Sequence, residues 1–277
     1  MLKVENLRLE QSDFSLDATF SANAGERLAI LGPSGAGKSS LLAALGGFLA
    51  PTSGRILWEG QDLTNLPPAK RPISFLFQDQ NLFAHLSVED NLWLALSAGK
   101  GRKTPEQQEK ILAALEPMGL SAYGARRPGS LSGGQAARAA LAMVLLRARP
   151  ILLLDEPFSA LGPGLKQEML ALVQEVAAQT QALVLLVTHQ PQDAIDFATL
   201  TLFLDQGHAS YPQETGAFFA QAISHLEKLF GQIKTPPKGG VFIRAVVSYR
   251  LGCFLFAFDA SPNAFVGHVK QACQKGQ

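Results

Sequence analysis

Short apolar runs alternate along the chain with stretches of helical periodicity. Between residues 166 and 180, Met169, Leu172, Val173 and Val176 recur at helical spacing with polar residues between them. Four short, largely apolar runs are typical of buried strands: 28–31, 151–154, 183–187 and 200–204. Strands that alternate with helices predict an α/β fold with a mostly parallel sheet covered on both faces.

Three regions depart from this alternation. The stretch from about 81 to 148 is mostly helical in pattern and lacks comparable apolar runs, so it predicts a helical insertion in the α/β unit. Turn signals at 51–54 and 67–68 predict a small antiparallel β region. The breaker at 235–240 separates a tail of different character. We therefore expect a domain over 1–212 and a C-terminal extension of unknown role over 213–277.

Composition excludes some classes of protein. The 277 residues are 47% hydrophobic and 17% charged, which is globular composition. The net charge of +1 excludes a chain built as one electrostatic clamp for nucleic acid, and we expect no nucleic-acid partner. Residues 216–277 nevertheless hold seven basic and two acidic side chains, and eight of the 17 Phe follow Tyr211. This shift suggests a tail of unrelated origin.

Targeting and redox signals are sparse. Cys253 and Cys273 both lie in the tail, which gives neither a disulfide framework nor zinc spacing. The N-terminus shows no apolar run followed by a cleavage site. The most apolar stretch, 241–258, contains Arg244 and Arg250, each of which costs about 2.5–3.5 kcal/mol at a bilayer centre. We expect a cytosolic chain without a membrane span.

A glycine-rich loop follows the first apolar run. Residues 32–39 read GPSGAGKS and match G-x-x-x-x-G-K-[ST], with a helical run after them. Glycines let backbone N–H groups wrap a phosphate, the helix directs its positive end at that anion, Lys38 adds a mobile charge, and the Ser39 hydroxyl is a Mg²⁺ ligand. The alternative is an ordinary strand–helix turn. The pattern predicts ATP phosphate contacts from Gly32, Pro33, Ser34, Gly35, Ala36, Gly37, Lys38, Ser39 and Ser40.

Two adjacent carboxylates, Asp155 and Glu156, end the second apolar run. Ligands bind at the carboxyl ends of parallel strands, which favours a functional site over a solvated strand end. We expect Asp155 to reach the Mg²⁺ sphere and Glu156 to polarise an attacking water.

A second glycine-rich segment, LSGGQ at 131–135, precedes another helical run. Ser132 and Gln135 have capping-box spacing, so a helix is predicted to start there, with Gly133 and Gly134 exposing its first N–H groups to an anion. The alternative is a glycine-rich loop with no ligand. One chain cannot easily fold both anion sites around one nucleotide.

In their order along the chain, the phosphate loop, Gln78, LSGGQ, Asp155-Glu156 and His189 resemble the motifs of the ABC-type ATPases. This resemblance implies a P-loop NTPase fold and a head-to-tail homodimer in which Ser132, Gly133, Gly134 and Gln135 contact the ATP of the partner. It also implies that Gln78 touches Mg²⁺ and that His189 contacts the γ-phosphate. The implied partners are two transmembrane permease subunits or halves and, indirectly, a periplasmic substrate-binding protein, with the ATPase peripheral on the cytoplasmic face of the bacterial inner membrane.

The stretches 75–86 and 150–161 resemble importer ATPases for thiamine, ferric iron, sulfate and polyamines, and the compact ATPase unit favours thiamine. A related importer, a soluble non-transport ABC ATPase and a degenerate regulatory subunit stay open. The last is kept open by Gly162, where the family usually has Asp, and by Ala136, Ala137 and Met143. Phe14 lies near the place of an adenine-stacking aromatic, but we interpret it as a core residue.

Overall fold

A computed structural model describes residues 1–11, 14–77, 82–97, 101–159, 161–230, 245–249 and 252–256, with side chains through residue 222. The chain divides into two compact units, Met1–Pro212 and Gln213–Gln277. Within the described residues, no helix combines the length and apolarity that crossing a membrane requires.

The first unit alternates strands and helices. Its strands are β1 (Leu2–Gln11), β2 (Phe14–Ala22), β3 (Arg27–Leu31), β4 (Ser53–Trp58), β5 (Gln61–Asp62), β6 (Ile73–Leu76), β7 (Ile151–Asp155), β8 (Leu183–Val187), β9 (Leu200–Asp205) and β10 (His208–Ala209). Its α-helices are α1 (Lys38–Gly46), α2 (Val88–Ser97), α3 (Pro105–Leu115), α4 (Gly133–Leu146), α5 (Pro163–Thr180) and α6 (Pro191–Phe197). Short 3₁₀ turns lie at Pro68–Lys70, Ser121–Tyr123 and Pro128–Ser130.

The strands run in the order β5-β4-β1-β2-β10-β9-β3-β8-β7-β6. The neighbours from β9 to β6 pair in parallel, whereas β1 pairs antiparallel with both β2 and β4. The four apolar runs therefore form β3, β7, β8 and β9 of one parallel sheet, which confirms the predicted α/β class. The carboxyl ends of these strands meet at one edge, where a ligand site belongs.

Two cores cover the faces of the parallel strands. On β8, Leu183, Leu185 and Val187 pack toward α1 and the antiparallel strands, while Val184 and Leu186 pack toward α4 and α5. A central strand buried on both faces explains why these runs are continuously apolar rather than alternating. Each fully buried Leu, Ile or Val contributes about 1.5–3 kcal/mol relative to exposure.

The segment between β6 and β7 is mostly helical where the structure describes it, with turns between its helices. Helices α2, α3 and α4 pack through Leu92, Ile111, Leu115 and Leu141, all fully buried. Helix α3 begins with a capping box at Thr104, whose side chain accepts from the backbone of Gln107.

Helix α1 is fixed at its C-terminal end by a buried arginine. The Arg71 guanidinium donates to the carbonyls of Ala44 and Leu45 at 2.8 and 2.7 Å and to those of Thr64 and Leu66 at 2.9 and 2.8 Å. Burial lowers the pKa of Arg71. A cation at this end of the helix complements the helix dipole, so Arg71 ties α1 to the loop that leads into β6.

The second unit contains β11 (Gln213–Glu214), α7 (Thr215–Phe230), β12 (Ala245–Tyr249) and β13 (Gly252–Phe256). Strands β12 and β13 form an antiparallel hairpin in which Ala245 pairs with Phe256. The two cysteines fall outside the part of the chain whose side chains are described.

Candidate functional site

The phosphate loop joins β3 to α1 at the sheet edge where the parallel strands end. Gly35 and Gly37 adopt left-handed conformations with φ of 80° and 101°. A Cβ at Gly37 would lie 2.3 Å from the Phe14 ring, so this turn requires glycine. Gly37 is also the N-cap of α1 and makes no side-chain cap. The first N–H groups of the helix are therefore available to an anion.

Lys38 lies folded over the loop. Its side chain is only 6% exposed, and its Nζ donates to the carbonyls of Gly32 and Pro33, both at 2.8 Å. Burial lowers the pKa of Lys38, while the carboxylates of Glu156 and Asp155 oppose that shift. A buried cation whose hydrogen-bond partners in the described part of the chain are carbonyls is a strong partner for phosphate oxygens.

The predicted loop residues have two different roles in the structure. Gly32 and Pro33 hold Lys38, and Ala36 packs into the core. The others line a cleft of about 560 Å³, a size typical of ligand sites. The described residues lining this cleft are Gln11, Phe14, Ser34, Gly35, Gly37, Lys38, Ser39, Ser40, Glu156 and His189.

Ser39 and Asp155 meet beside the cleft. The Ser39 hydroxyl donates to Asp155 Oδ1 at 3.1 Å across the space between α1 and β7. Asp155 is 8% exposed, and burial raises its pKa, assisted by the Glu156 charge and opposed by Ser39 and Lys38. A hydroxyl and a carboxylate are oxygen donors that fit Mg²⁺, which commonly completes its shell with substrate phosphates and water. Within the described residues, no group of three or more His, Cys, Asp or Glu side chains could hold a metal on its own.

Glu156 and His189 form a pair at the adjacent strand ends. Glu156 Oε2 lies 2.9 Å from His189 Nδ1, and the Glu156 backbone N–H donates to the carbonyl of Val187 at 3.1 Å. Glu156 has a φ of 43°, a left-handed conformation that costs a non-glycine residue about 1–3 kcal/mol. Its carboxylate is mostly shielded, whereas the imidazole is half exposed. Both members of the pair line the cleft, as Gly35 and Gly37 do.

The LSGGQ segment starts α4 with the predicted capping box. Ser132 Oγ accepts from the backbone of Gln135 at 3.3 Å, and the Ser132 N–H donates to Gln135 Oε1 at 2.9 Å. Ser132 and Gly133 are exposed. None of the described residues lining the phosphate-loop cleft belongs to 131–135. The chain therefore presents two separate glycine-rich helix starts.

Comparison with known proteins bears on this arrangement. The profile described as "ABC transporter" matches residues 16–159. The chain belongs to the ABC transporter family. It is 55% identical over 231 residues, 83% of this chain and all of the relative, to "Thiamine import ATP-binding protein ThiQ" of Cereibacter sphaeroides. It is 48% identical over 217 residues, 78% of this chain and 92% of the relative, to the protein of the same name from Yersinia pseudotuberculosis.

Solved ATP-binding cassettes share the fold. The dimeric post-hydrolysis state of the cassette MJ0796 with ADP and Pi matches 78% of this chain and 99% of its own, with a TM-score of 0.69 and 26% identity. The ADP conformation of MJ1267, a cassette of an ABC transporter, matches 84% and 99% with a TM-score of 0.73 and 25% identity. The resemblance to ABC ATPases and the P-loop fold predicted from the sequence are thereby confirmed.

Some predicted positions differ from expectation or lie outside the described residues. Gln78 lies outside them. Phe14 packs partly against the core but also lines the phosphate-loop cleft, so the core interpretation was incomplete. Gly162, where the family usually has Asp, is the N-cap of α5 and makes no side-chain cap bond.

The sequence interpretation also missed polar residues behind the site. Lys166, Thr188 and Asp193 are buried and form a hydrogen-bonded group with the exposed Gln190 beside the Glu156–His189 pair. A signal was present, because Thr188 and Gln190 flank His189 in the sequence. Lys166 and Asp193 lie on separate helices, and their spacing reveals no pairing.

Proposed function

We propose that this chain is the ATP-hydrolysing subunit of a bacterial thiamine importer. The observation that carries the proposal is the 55% identity to a thiamine import ATP-binding protein over that relative's whole length. It is supported by the phosphate-loop cleft, in which the loop, Lys38 and the Glu156–His189 pair face one space.

The binding step follows from the geometry of the loop. The β- and γ-phosphates of ATP accept from the free N–H groups at the start of α1, and Lys38 adds its charge. Ser39 and Asp155 would hold Mg²⁺, with Gln78 as a third oxygen donor. The ion supplies positive charge against the phosphate oxygens. Phe14 forms an apolar wall beside the loop glycines.

The chemical step is the attack of water on the γ-phosphorus with ADP as leaving group. Glu156 orients that water and accepts its proton, because its carboxylate lies in the cleft at the strand end. His189 donates from Nδ1 to the Glu156 carboxylate, and this bond fixes the imidazole at the cleft in which the γ-phosphate would lie. Positioning and charge stabilisation contribute most of the rate in phosphoryl transfer.

Assembly brings the second anion site to the nucleotide. Ser132, Gly133, Gly134 and Gln135 of one protomer contact the ATP held by the phosphate loop of its partner, so two ATP molecules lie in a head-to-tail homodimer. This arrangement accounts for an exposed capped helix end outside the chain's own cleft. Closure and hydrolysis then move two transmembrane permease subunits or halves between inward and outward states. A periplasmic substrate-binding protein delivers thiamine to them.

An exposed aromatic patch supports a permease contact at the cytoplasmic face of the inner membrane. Phe48 and Phe77 are 54% and 39% exposed, and their ring centroids lie 5.2 Å apart. Phe75 stacks on Phe77 at 4.0 Å. Exposed aromatic clusters mark protein–protein contacts, and Phe48 directly follows the phosphate-loop helix.

The test combines chemistry with transport. Glu156→Gln is expected to keep ATP binding and lower ATP turnover about 10²–10⁴-fold, the scale of a general base. Glu168→Gln, an exposed carboxylate on α5, is the matched control and should match the unchanged protein. Turnover unchanged in Glu156→Gln would remove this residue from the proposed role.

Cells that lack their own importer ATPase, but retain the permease and the binding protein, then receive either form. Uptake of labelled thiamine that returns with the unchanged chain and not with Glu156→Gln is the expected result. Absence of uptake with an unchanged chain that hydrolyses ATP would refute thiamine as the cargo, and absence of both uptake and hydrolysis would indicate a disabled subunit.

A further inference from the structure

A buried ion pair lies directly behind His189. Lys166 of α5 and Asp193 of α6 are 9% and 8% exposed, and Lys166 Nζ lies 2.6 Å from Asp193 Oδ2. The same Nζ donates to Gln190 Oε1 at 2.7 Å. The ATP chemistry described above uses none of these residues.

The two residues that flank His189 both form hydrogen bonds with this ion pair. Thr188 Oγ1 donates to the Asp193 carboxylate at 2.5 Å and accepts from the Gln190 N–H at 3.0 Å. The Asp193 N–H donates to the Gln190 carbonyl at 3.1 Å. The residues on either side of His189 are therefore both joined through their side chains to the Lys166–Asp193 ion pair.

Stability alone does not account for such a pair. Two charges are desolvated here, and well-packed apolar side chains at buried sites often stabilise a fold as well or better. What the pair supplies is fixed geometry, because each polar atom that it satisfies belongs to the turn carrying His189. Lys166 also follows the segment that runs from Glu156 to Gly162, so one helix start lies near both members of the Glu156–His189 pair.

We propose that Lys166 is a positioning residue for His189, which it holds through Asp193 and Gln190 with Nδ1 against the Glu156 carboxylate. The inference deepens the proposed function and rests on it for its kinetic consequence. The carboxylate at 2.9 Å accepts from Nδ1, which holds the proton on that nitrogen and fixes the orientation of the ring at the cleft. Without Lys166 the turn loses its anchor on α5, and the imidazole samples other orientations and tautomers.

The first test reads His189 without ATP turnover. Long-range ¹H–¹⁵N spectra of the imidazoles, with His189 assigned by its loss in His189→Ala, report the tautomer and the hydrogen bond at Nδ1. The full-length unchanged chain and Lys166→Arg should show Nδ1 protonated and bonded. Lys166→Met should show a mixture of tautomers, and Lys110→Met, an exposed lysine on α3, should have no effect. A Lys166→Met spectrum identical to that of the unchanged chain would overturn the inference.

The second test is a double-mutant cycle in ATP turnover. Lys166→Met should lower kcat by up to about 10²-fold, the scale of a misplaced catalytic group, with KM for ATP unchanged. In the His189→Ala background it should lower kcat by less than about twofold, since its effect runs through His189. Equal losses in both backgrounds would show that Lys166 acts elsewhere and would refute the inference.

Folding is controlled separately because Lys166→Met leaves Asp193 buried without its cation. Thermal unfolding identifies a destabilised variant, and Lys166→Met combined with Asp193→Asn restores neutrality while still lacking the anchor. This double variant should keep the mixed tautomers. A single tautomer in a folded double variant would also refute the inference. If the unchanged chain hydrolyses no ATP, the proposed function fails, while the spectra still decide the placement of His189.

Discussion

Gly162 lies at a helix start where an aspartate should stabilise the fold. It is the N-cap of α5, with φ of −63° and ψ of 155°, the extended conformation that side-chain caps adopt. No side chain caps the helix there, and the first turn holds no acidic residue. A Cβ at Gly162 would meet no heavy atom within 4 Å. Gly162→Asp can therefore be accommodated without strain.

Three contributions to the free energy of unfolding are expected from Gly162→Asp, and all three are stabilising. An aspartate in place of glycine at the N-cap contributes a few tenths of a kcal/mol. Its charge at the positive helix end contributes about 0.3–1 kcal/mol, and the lost freedom of glycine in the unfolded chain about 0.4–1 kcal/mol. The sum is about 1–2 kcal/mol. For a unit of roughly 200 residues this raises Tm by about 2–8 °C.

The assay is thermal and urea unfolding of the nucleotide-free protein beside the matched variant Gly162→Ala. Alanine removes the same unfolded-state freedom but is a poor N-cap, so it should lie about 1 kcal/mol below the Asp variant. The difference in stability between the Asp and Ala variants should decrease in high salt, because salt screens the interaction of the Asp charge with the helix dipole. An Asp variant no more stable than the Ala variant would refute the capping argument. In the same samples, faster ATP turnover by Gly162→Asp would show that a carboxylate here assists the coupling of the two sites.

Three further predictions concern the cleft and its support. Burial raises the pKa of Asp155, so the folded state binds the proton of this carboxyl more tightly than the unfolded chain does, and the free energy of unfolding falls as pH rises above 3.8. Asp155→Asn should therefore raise the Tm of the nucleotide-free protein at neutral pH. The same variant should abolish Mg²⁺-dependent ATP binding, and a thermal-shift assay measures both effects. Phe14→Ala should weaken ATP binding about 5–20-fold in a fluorescent-nucleotide titration. If Phe14→Leu binds ATP as weakly as Phe14→Ala, the aromatic face is required. Unchanged ATP affinity in both variants would leave Phe14 a core residue. Arg71→Met should cost about 2–4 kcal/mol in urea unfolding because four carbonyls lose a buried donor, whereas Arg55→Met, on the surface, should change stability by less than about 0.5 kcal/mol.

The sequence predicted elements whose signal is local. The runs that became β3, β7, β8 and β9 are apolar throughout because both faces of each strand are buried, and this needs no knowledge of partners. The capping box at Ser132 is likewise contained in four residues. The buried strands and the capping box both depend on residues that are close in the sequence, so both can be predicted from the sequence alone.

The strands β1 and β2 were not predicted, although β1 is ten residues long. Its buried residues are Leu2 and Val4, then Leu7 and Leu9. A register shift between Val4 and Leu7, with Asn6 at a φ of 45°, interrupts the alternation of period two. The bulge hides the strand from a pattern search, even though each half alternates.

Lys166 and Phe14 were missed or only half understood for a different reason. A lysine on a helix of mixed polarity is ordinarily solvated, and only the fold places Lys166 against Asp193, 27 positions away. Phe14 lies against Gly37 of the loop because β2 begins there, which is a long-range consequence of the arrangement of the strands. Contacts of this kind depend on topology, which short-range patterns do not encode.

The described site has several features that are unfavourable without a ligand, and a single ligand could offset most of them. Lys38 is desolvated, Asp155 is buried with a raised pKa beside a second carboxylate, and Glu156 occupies a left-handed conformation. Each of these destabilises the nucleotide-free protein, and the first two are offset when phosphate oxygens meet Lys38 and a divalent cation meets Asp155. Binding energy is therefore largest for a ligand that brings both charges together, as a nucleotide triphosphate with its cation does. A ligand that supplied phosphate alone would satisfy Lys38 and leave the carboxylates repelling one another and the incoming anion, so the cleft should select the metal–nucleotide complex over free nucleotide.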